Sequence, residues 1–166
     1  VEHTNINPNK AAHIGHLRNA ALGDTLARCL RFLGRRVEVQ NYIDDTGVQV
    51  ADLIIGITRL EKLDLEGVRR LESELQRKGV PLDHYCWDLY SRVTQMYEQS
   101  PVPAAPGEKS LKERLRGEML HAMEEGSSPL AKIAAYLADK IVRCHLATMQ
   151  RIGVQYDLLP RESDIL

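Results

Sequence analysis

Residues 5–16 read Asn5-Ile6-Asn7-Pro8-Asn9-Lys10-Ala11-Ala12-His13-Ile14-Gly15-His16, and the hydrophobic pattern changes period across them. Upstream, residues 1–6 alternate loosely, as a short strand does, and Asn7 to Lys10 is turn chemistry. Downstream, Leu22, Leu26, Leu30 and Leu33 recur in steps of four, four and three, which predicts a helix closed by Gly34. Val37, Val39 and Ile43 alternate again as a second strand, and Asp44-Asp45-Thr46-Gly47 turns out of it. Strand, helix and strand within the first 47 residues match the size of a parallel βαβ unit.

Farther along, residues 48–60 resume a helical pattern and residues 61–79 form a charged helix broken at Gly79-Val80-Pro81. Tyr85, Leu89, Val93, Met96 and Tyr97 mark another helical face. Residues 100–107 carry three prolines and read as a linker, and residues 108–125 alternate in charge along an exposed helix. Ser128-Pro129 is a cap and first turn for a long helix with Leu130, Ile133, Ala134, Leu137, Ile141 and Cys144 on one face. Gly153 ends it, and Val154, Tyr156 and Leu158 alternate as a third strand. The expected class is α/β: the first half of a Rossmann-like parallel sheet with a mostly helical insertion. The expected division is residues 1–60 as the first part of that domain, 61–127 as the insertion and 128–166 as a returning helix and strand.

With 22 Lys and Arg against 23 Asp and Glu, the net charge of −1 gives no field that would bind nucleic acid strongly. No run approaches the 18 apolar residues of a membrane span, and no secretory leader is visible. Three scattered cysteines without a CxxC argue against a disulfide framework and for a reducing, cytoplasmic setting. The chain starts at Val1 inside a motif-bearing segment, so it reads as a piece of something larger.

The chemistry concentrates where the first strand hands over to the first helix. Helix N-termini present unpaired N–H groups and partial positive charge, a ready anion site. His13 and His16, three apart, project from about the same side of the first turn and can donate to phosphate oxygens as charge builds in a transition state. Gly15 leaves room for a flat base, and Asn5 and Asn7 offer amides to a polar substrate. The competing readings are a polar turn with two surface histidines, or a metal pair, for which neither an HExxH glutamate nor a third ligand is placed by spacing. No metal is assigned.

His13-Ile14-Gly15-His16 matches the HIGH motif of class I aminoacyl-tRNA synthetases, and residues 1–10 before it resemble the arginyl-tRNA synthetase pattern VE(F/Y)SSPNPT(G/K)P. His16-Leu17-Arg18-Asn19-Ala20 with Leu22-Gly23-Asp24, then Tyr42 to Gln49, then Ile152 to Asp157 with Glu162-Ser163, are similar to that family's later blocks, in order. The departures are Thr4-Asn5 for Ser-Ser, Ile6 for proline, Asn9 for threonine and Asp44 where Asn or Gly is common; the second class I motif, KMSKS, is absent.

The resemblance implies an ATP-dependent arginine–tRNA ligase, the N-terminal portion of its catalytic domain, of the class I (HUP-type) fold. It implies ATP with Mg2+, L-arginine and tRNA(Arg) as substrates, no prosthetic group, no membrane and a monomer. By resemblance His13 and His16 stabilise the phosphates, Gly15 admits adenine, and Lys10 supplies the charge that KMSKS would bring. Thr4, Asn5 and Asn7 hold the α-amino and carboxylate groups, and Glu162 accepts the guanidinium, whose paired N–H groups suit a carboxylate. Asp45 and Gln49 stand behind these. The competing readings are an exposed turn lysine for Lys10 and a helix cap for Asp45. Tyr85, Trp87, Tyr90 and Tyr97 either pack on a neighbouring helix or stack on the acceptor end of tRNA, and the run 108–118 is a solvated face. The alternatives are another class I synthetase or nucleotidyltransferase, or a catalytically silent binding module. The 166-residue piece alone is expected to be inactive.

Overall fold

The computed structural model describes residues 1–101 and 108–165. Among these residues six α-helices dominate: α1 (Ile14–Phe32), α2 (Val48–Ile55), α3 (Leu65–Arg77), α4 (Leu82–Glu98), α5 (Leu111–Glu124) and α6 (Pro129–Arg151). A π-helical turn, Gly56–Leu60, extends α2, and a short 3-10 turn, Glu162–Asp164, lies near the C-terminus. Residues 102–107, most of the expected linker, lie outside the described residues.

Local signals account for the helix ends. Ser128 Oγ accepts from the Ala131 N–H at 3.0 Å and opens α6, with Pro129 in its first turn. Ser110 and Glu113 close a capping box at the start of α5, and Asp64 Oδ1 accepts from the Gly67 N–H at 2.8 Å to start α3. Gly34 and Gly153, at φ of 73° and 76°, follow α1 and α6 in the left-handed region that lets the chain leave a helix.

The expected parallel sheet does not form. Among the described residues there is no continuous strand, only isolated parallel bridges pairing Glu2 with Gln40, Gln40 with Leu158, and Ile43 with Arg161. The three extended segments run side by side, but side chains take over bonds that a ladder would make between backbones. Asn41 Oδ1 accepts the Asn5 N–H (2.9 Å), Asn5 Oδ1 accepts the Tyr42 N–H (3.1 Å), and Asp157 Oδ2 accepts the Val39 N–H (2.8 Å). Thr4 and Asn5, at φ of 76° and 49°, turn the first segment out of extended geometry. The alternating apolar pattern is real, since Ile6, Val39, Ile43 and Val154 are buried, but it specifies a side of the chain rather than a ladder.

Helices α2 to α6 share the main core, in which Leu53, Ile54, Leu89, Leu137 and Ile141 are fully buried. A smaller cluster of Ile6, Ala20, Met149 and Val154 joins α1 and the first segment to α6. The leucine stripe that predicts this helix faces outward: Leu22 is 59% and Leu26 52% exposed. The buried stripe is Ala20, Gly23 and Ala27, residues small enough to admit the first segment closely. A β-carbon at Gly23 would fall 2.2 Å from the His3 ring, so only glycine fits there. The run 108–118 is not simply solvated either, because Arg116 reaches the buried Asp52.

Candidate active site

The two histidines close the N-terminus of α1 on each other. His13 is the N-cap, and its Nδ1 accepts from the Gly15 N–H at 3.2 Å. His16 Nδ1 accepts from the His13 backbone N–H at 3.2 Å. This is the reciprocal logic of a capping box, performed by imidazoles. The rings stack with centroids 3.9 Å apart, and a β-carbon at Gly15 would lie 3.1 Å from the His13 ring. Burial, then the neighbouring His13, His145 and Lys10, bring His16 down to a pKa of about 4, so it is neutral at physiological pH. A neutral ring whose Nδ1 accepts carries its proton on Nε2, which leaves that N–H as the donor His16 offers to a ligand.

The approach to this pair is pinned by two helices. Nε2–H of His145, buried in α6, donates to the Lys10 carbonyl at 2.7 Å. The Ala11 N–H donates to the Asp83 carbonyl of α4 at 3.0 Å. The Lys10 ammonium lies 4.9 Å from the centroid of the Tyr90 ring and 5.5 Å from that of Trp87. Trp87 in turn meets His13 edge-on at 6.1 Å. The first turn of α1 also borders an open cleft of about 400 Å³ against the end of α6, lined by His13, Ile14, Leu17, Met149 and Arg151.

A second, acidic group gathers where the DDTG turn meets the C-terminal segment. Asn7 Nδ2 donates to Asp44 Oδ2 at 3.0 Å, and Thr46 donates its hydroxyl to Glu162. Burial, and then a hydrogen bond and charge repulsion from Glu162, push the Asp44 carboxyl above the usual carboxylate range. Asp44 Oδ1 is buried with no hydrogen-bond partner among the described residues. Asp45 accepts from the Ser163 N–H (3.0 Å) and Oγ (2.7 Å), with Arg161 3.7 Å away. It therefore caps the turn at Ser163 and not α2, whose N-cap is Gly47. Among the described residues no group of three or more His, Cys, Asp or Glu is placed to hold a metal ion.

Residues 1–78 match the family model described as "tRNA synthetases class I (R), catalytic domain". The whole chain aligns with the arginine–tRNA ligase of Thermococcus kodakarensis at 43% identity, covering 24% of that protein. With that of Thermus thermophilus it shares 37%, covering 23%. The solved structure of Thermus thermophilus arginyl-tRNA synthetase superposes with a TM-score of 0.68 at 38% identity, over 99% of this chain and 23% of that one. The chain belongs to the arginyl-tRNA synthetase family. It spans about a quarter of the length of these relatives.

Set against the arginyl-tRNA synthetase pattern, the predicted site residues fall into three groups. Lys10, His13, Gly15 and His16 sit together at the start of α1. Asn7 and Glu162 meet around Asp44. Thr4 and Asn5 are engaged within the chain. The Thr4 hydroxyl is buried between the Tyr156 hydroxyl (2.7 Å) and His3 Nδ1 (2.8 Å), and the Asn5 amide bonds Glu2 (2.7 Å) as well as the Tyr42 N–H. Gln49 is half-buried in the first turn of α2. Sequence reasoning missed His145, and it took Asp44 as a turn residue and a departure from the family pattern rather than as part of the site. His145 lies in none of the matched blocks and Asp44 is where its block departs from the pattern, so what singles them out is contact across 135 residues for His145 and 37 for Asp44.

Proposed function

We propose that this chain is the part of an arginine–tRNA ligase that activates arginine with ATP, before transfer of the arginyl group to tRNA(Arg). The arginine carboxylate attacks the α-phosphorus of ATP, which arrives as its magnesium complex, and pyrophosphate leaves. Such a step depends on positioning and on donors already in place where negative charge develops. His13 and His16 donate to the phosphates, Gly15 gives adenine access, and Lys10 brings positive charge to the same end of α1. Asn7 orients arginine, and Glu162 with its neighbour Asp44 receives the guanidinium. Thr4, Asn5, Asp45 and Gln49 hold these groups in place. Protein synthesis places the enzyme in the cytoplasm.

The observation that carries this reading is the pair of stacked imidazoles closing the N-terminus of α1, in a chain of this family. The Asp44 carboxyl, raised by burial and then by Glu162, supports it, because a guanidinium bound beside the two carboxyls offsets both causes. The test is exchange of labelled pyrophosphate into ATP by the full-length protein in the presence of tRNA. Exchange driven by arginine, and not by citrulline or lysine, is expected. Exchange driven by a different amino acid moves the chain to another class I synthetase, and none with any amino acid leaves a silent binding module.

A further inference from the structure

The Lys10 ammonium forms no ion pair among the described residues; the groups that face it are the rings of Trp87 and Tyr90. These belong to one stripe of α4, since Asp83, Trp87 and Tyr90 are spaced four and three apart. Helix α4 grips the approach to the histidines at two neighbouring residues: the Asp83 carbonyl takes the Ala11 N–H, and the two rings face the tip of Lys10. An aromatic face attracts an ammonium through its quadrupole and carries no net charge. A carboxylate in the same place would hold the lysine but cancel most of its field at short range. Rings therefore fix where the ammonium sits and leave its charge available to an incoming anion. Trp87, 38% exposed and edge-on to His13, is poorly placed as core packing, so the neighbouring-helix reading of this aromatic does not account for it.

We propose that Trp87 and Tyr90 are positioning residues for arginine activation: they hold the Lys10 ammonium beside the His13–His16 pair, uncancelled, for the phosphates of ATP. This rests on the function proposed above and extends it, by making α4 part of the activation cleft. The chemical step runs through Lys10 and the histidines, and the rings act only through Lys10.

The test is arginine-dependent pyrophosphate exchange by the full-length enzyme, with ATP and arginine varied in turn while the other and tRNA are saturating. Replacing both rings, Trp87→Leu with Tyr90→Leu, is expected to lower kcat about tenfold and leave the arginine KM unchanged. Trp87→Phe with Tyr90→Phe keeps two aromatic faces and restores kcat to within about threefold of the parent. In a Lys10→Met background the leucine pair costs nothing further, because the group it positions is gone. The same loss with and without Lys10 overturns the proposal, and so does a leucine pair as fast as the parent while Lys10→Met is slow. If circular dichroism shows the leucine pair unfolded, fluorinated tryptophans at position 87 weaken the ring quadrupole at nearly constant shape. A kcat that falls with each added fluorine supports the proposal and a flat series overturns it. Failure of the functional reading is separate: the unsubstituted enzyme then shows no arginine-dependent exchange, and this proposal falls with it.

Discussion

Helices α2 to α6 enclose a core whose largest side chains, among them Leu53, Ile54, Leu89, Leu137 and Ile141, are cut off from solvent. The segment bearing the histidines rests on a cluster of four buried apolar residues, Ile6, Ala20, Met149 and Val154. Burial of a leucine or isoleucine contributes about 1.5–3 kcal/mol, so the first region holds itself together. The second is held by polar ties to the first: His145 to the Lys10 carbonyl and the Asp83 carbonyl to the Ala11 N–H. A hydrogen bond of this kind contributes about 1 kcal/mol net, but it fixes position better than an apolar contact. The chemistry-bearing loop thus draws its geometry from helices that carry little of the chemistry.

That contrast can be broken at its strongest joint. Arg116 of α5 bonds Asp52 of α2 through Nε at 2.8 Å and through its guanidinium tip, and Tyr97 adds 2.8 Å from α4. Asp52 is 2% exposed, so Arg116→Ala strands a buried carboxylate and should cost about 3–5 kcal/mol in chemical denaturation. His16→Ala should do the reverse in the full-length enzyme. The pyrophosphate-exchange kcat falls about 10²–10³-fold, the cost of a lost transition-state donor, while stability drops only by about 1 kcal/mol, that of a helix cap.

Acid sharpens the comparison further. His3, His16 and His145 all belong to the histidine-bearing side or its anchor, and burial lowers the pKa of each, His16 to about 4. The unfolded chain therefore takes up protons first, so their contribution is complete above about pH 6.5 and is lost as pH falls toward 4. Amide hydrogen exchange, corrected for intrinsic rates, should show the first turn of α1 losing protection over that window before α4 and the middle of α6 do. The smallest effect belongs to the outward leucines: Leu22→Ala in the 166-residue chain should change stability by less than about 0.5 kcal/mol.

How much of this was written in the sequence follows the range of the interactions. Ser128-Pro129, Gly34 and Gly153 announced helix ends because caps are decided within a turn. The HIGH block announced the histidine pair because both rings answer to one another across three residues. The sheet was misread because alternation reports which side of a segment is buried, while pairing depends on Asn5, Asn41 and Asp157 intercepting backbone donors from distant segments. The buried face of α1 was not legible because periodic leucines mark an apolar stripe without saying what covers it, and here three small residues face inward. Arg116 looked like one charge among many in an alternating run, and only the fold brings it to Asp52, 64 residues away.

Trp87 has one more consequence. It is the chain's single tryptophan, the single phenylalanine is 92% exposed at Phe32, and the α2–α6 core has no indole. Excited at the red edge of its absorption, this polypeptide therefore emits from one place, at the rim of the imidazole pair. Its fluorescence is a built-in lamp for whatever enters the cleft, and unfolding of the larger core stays dark to it until α4 itself gives way.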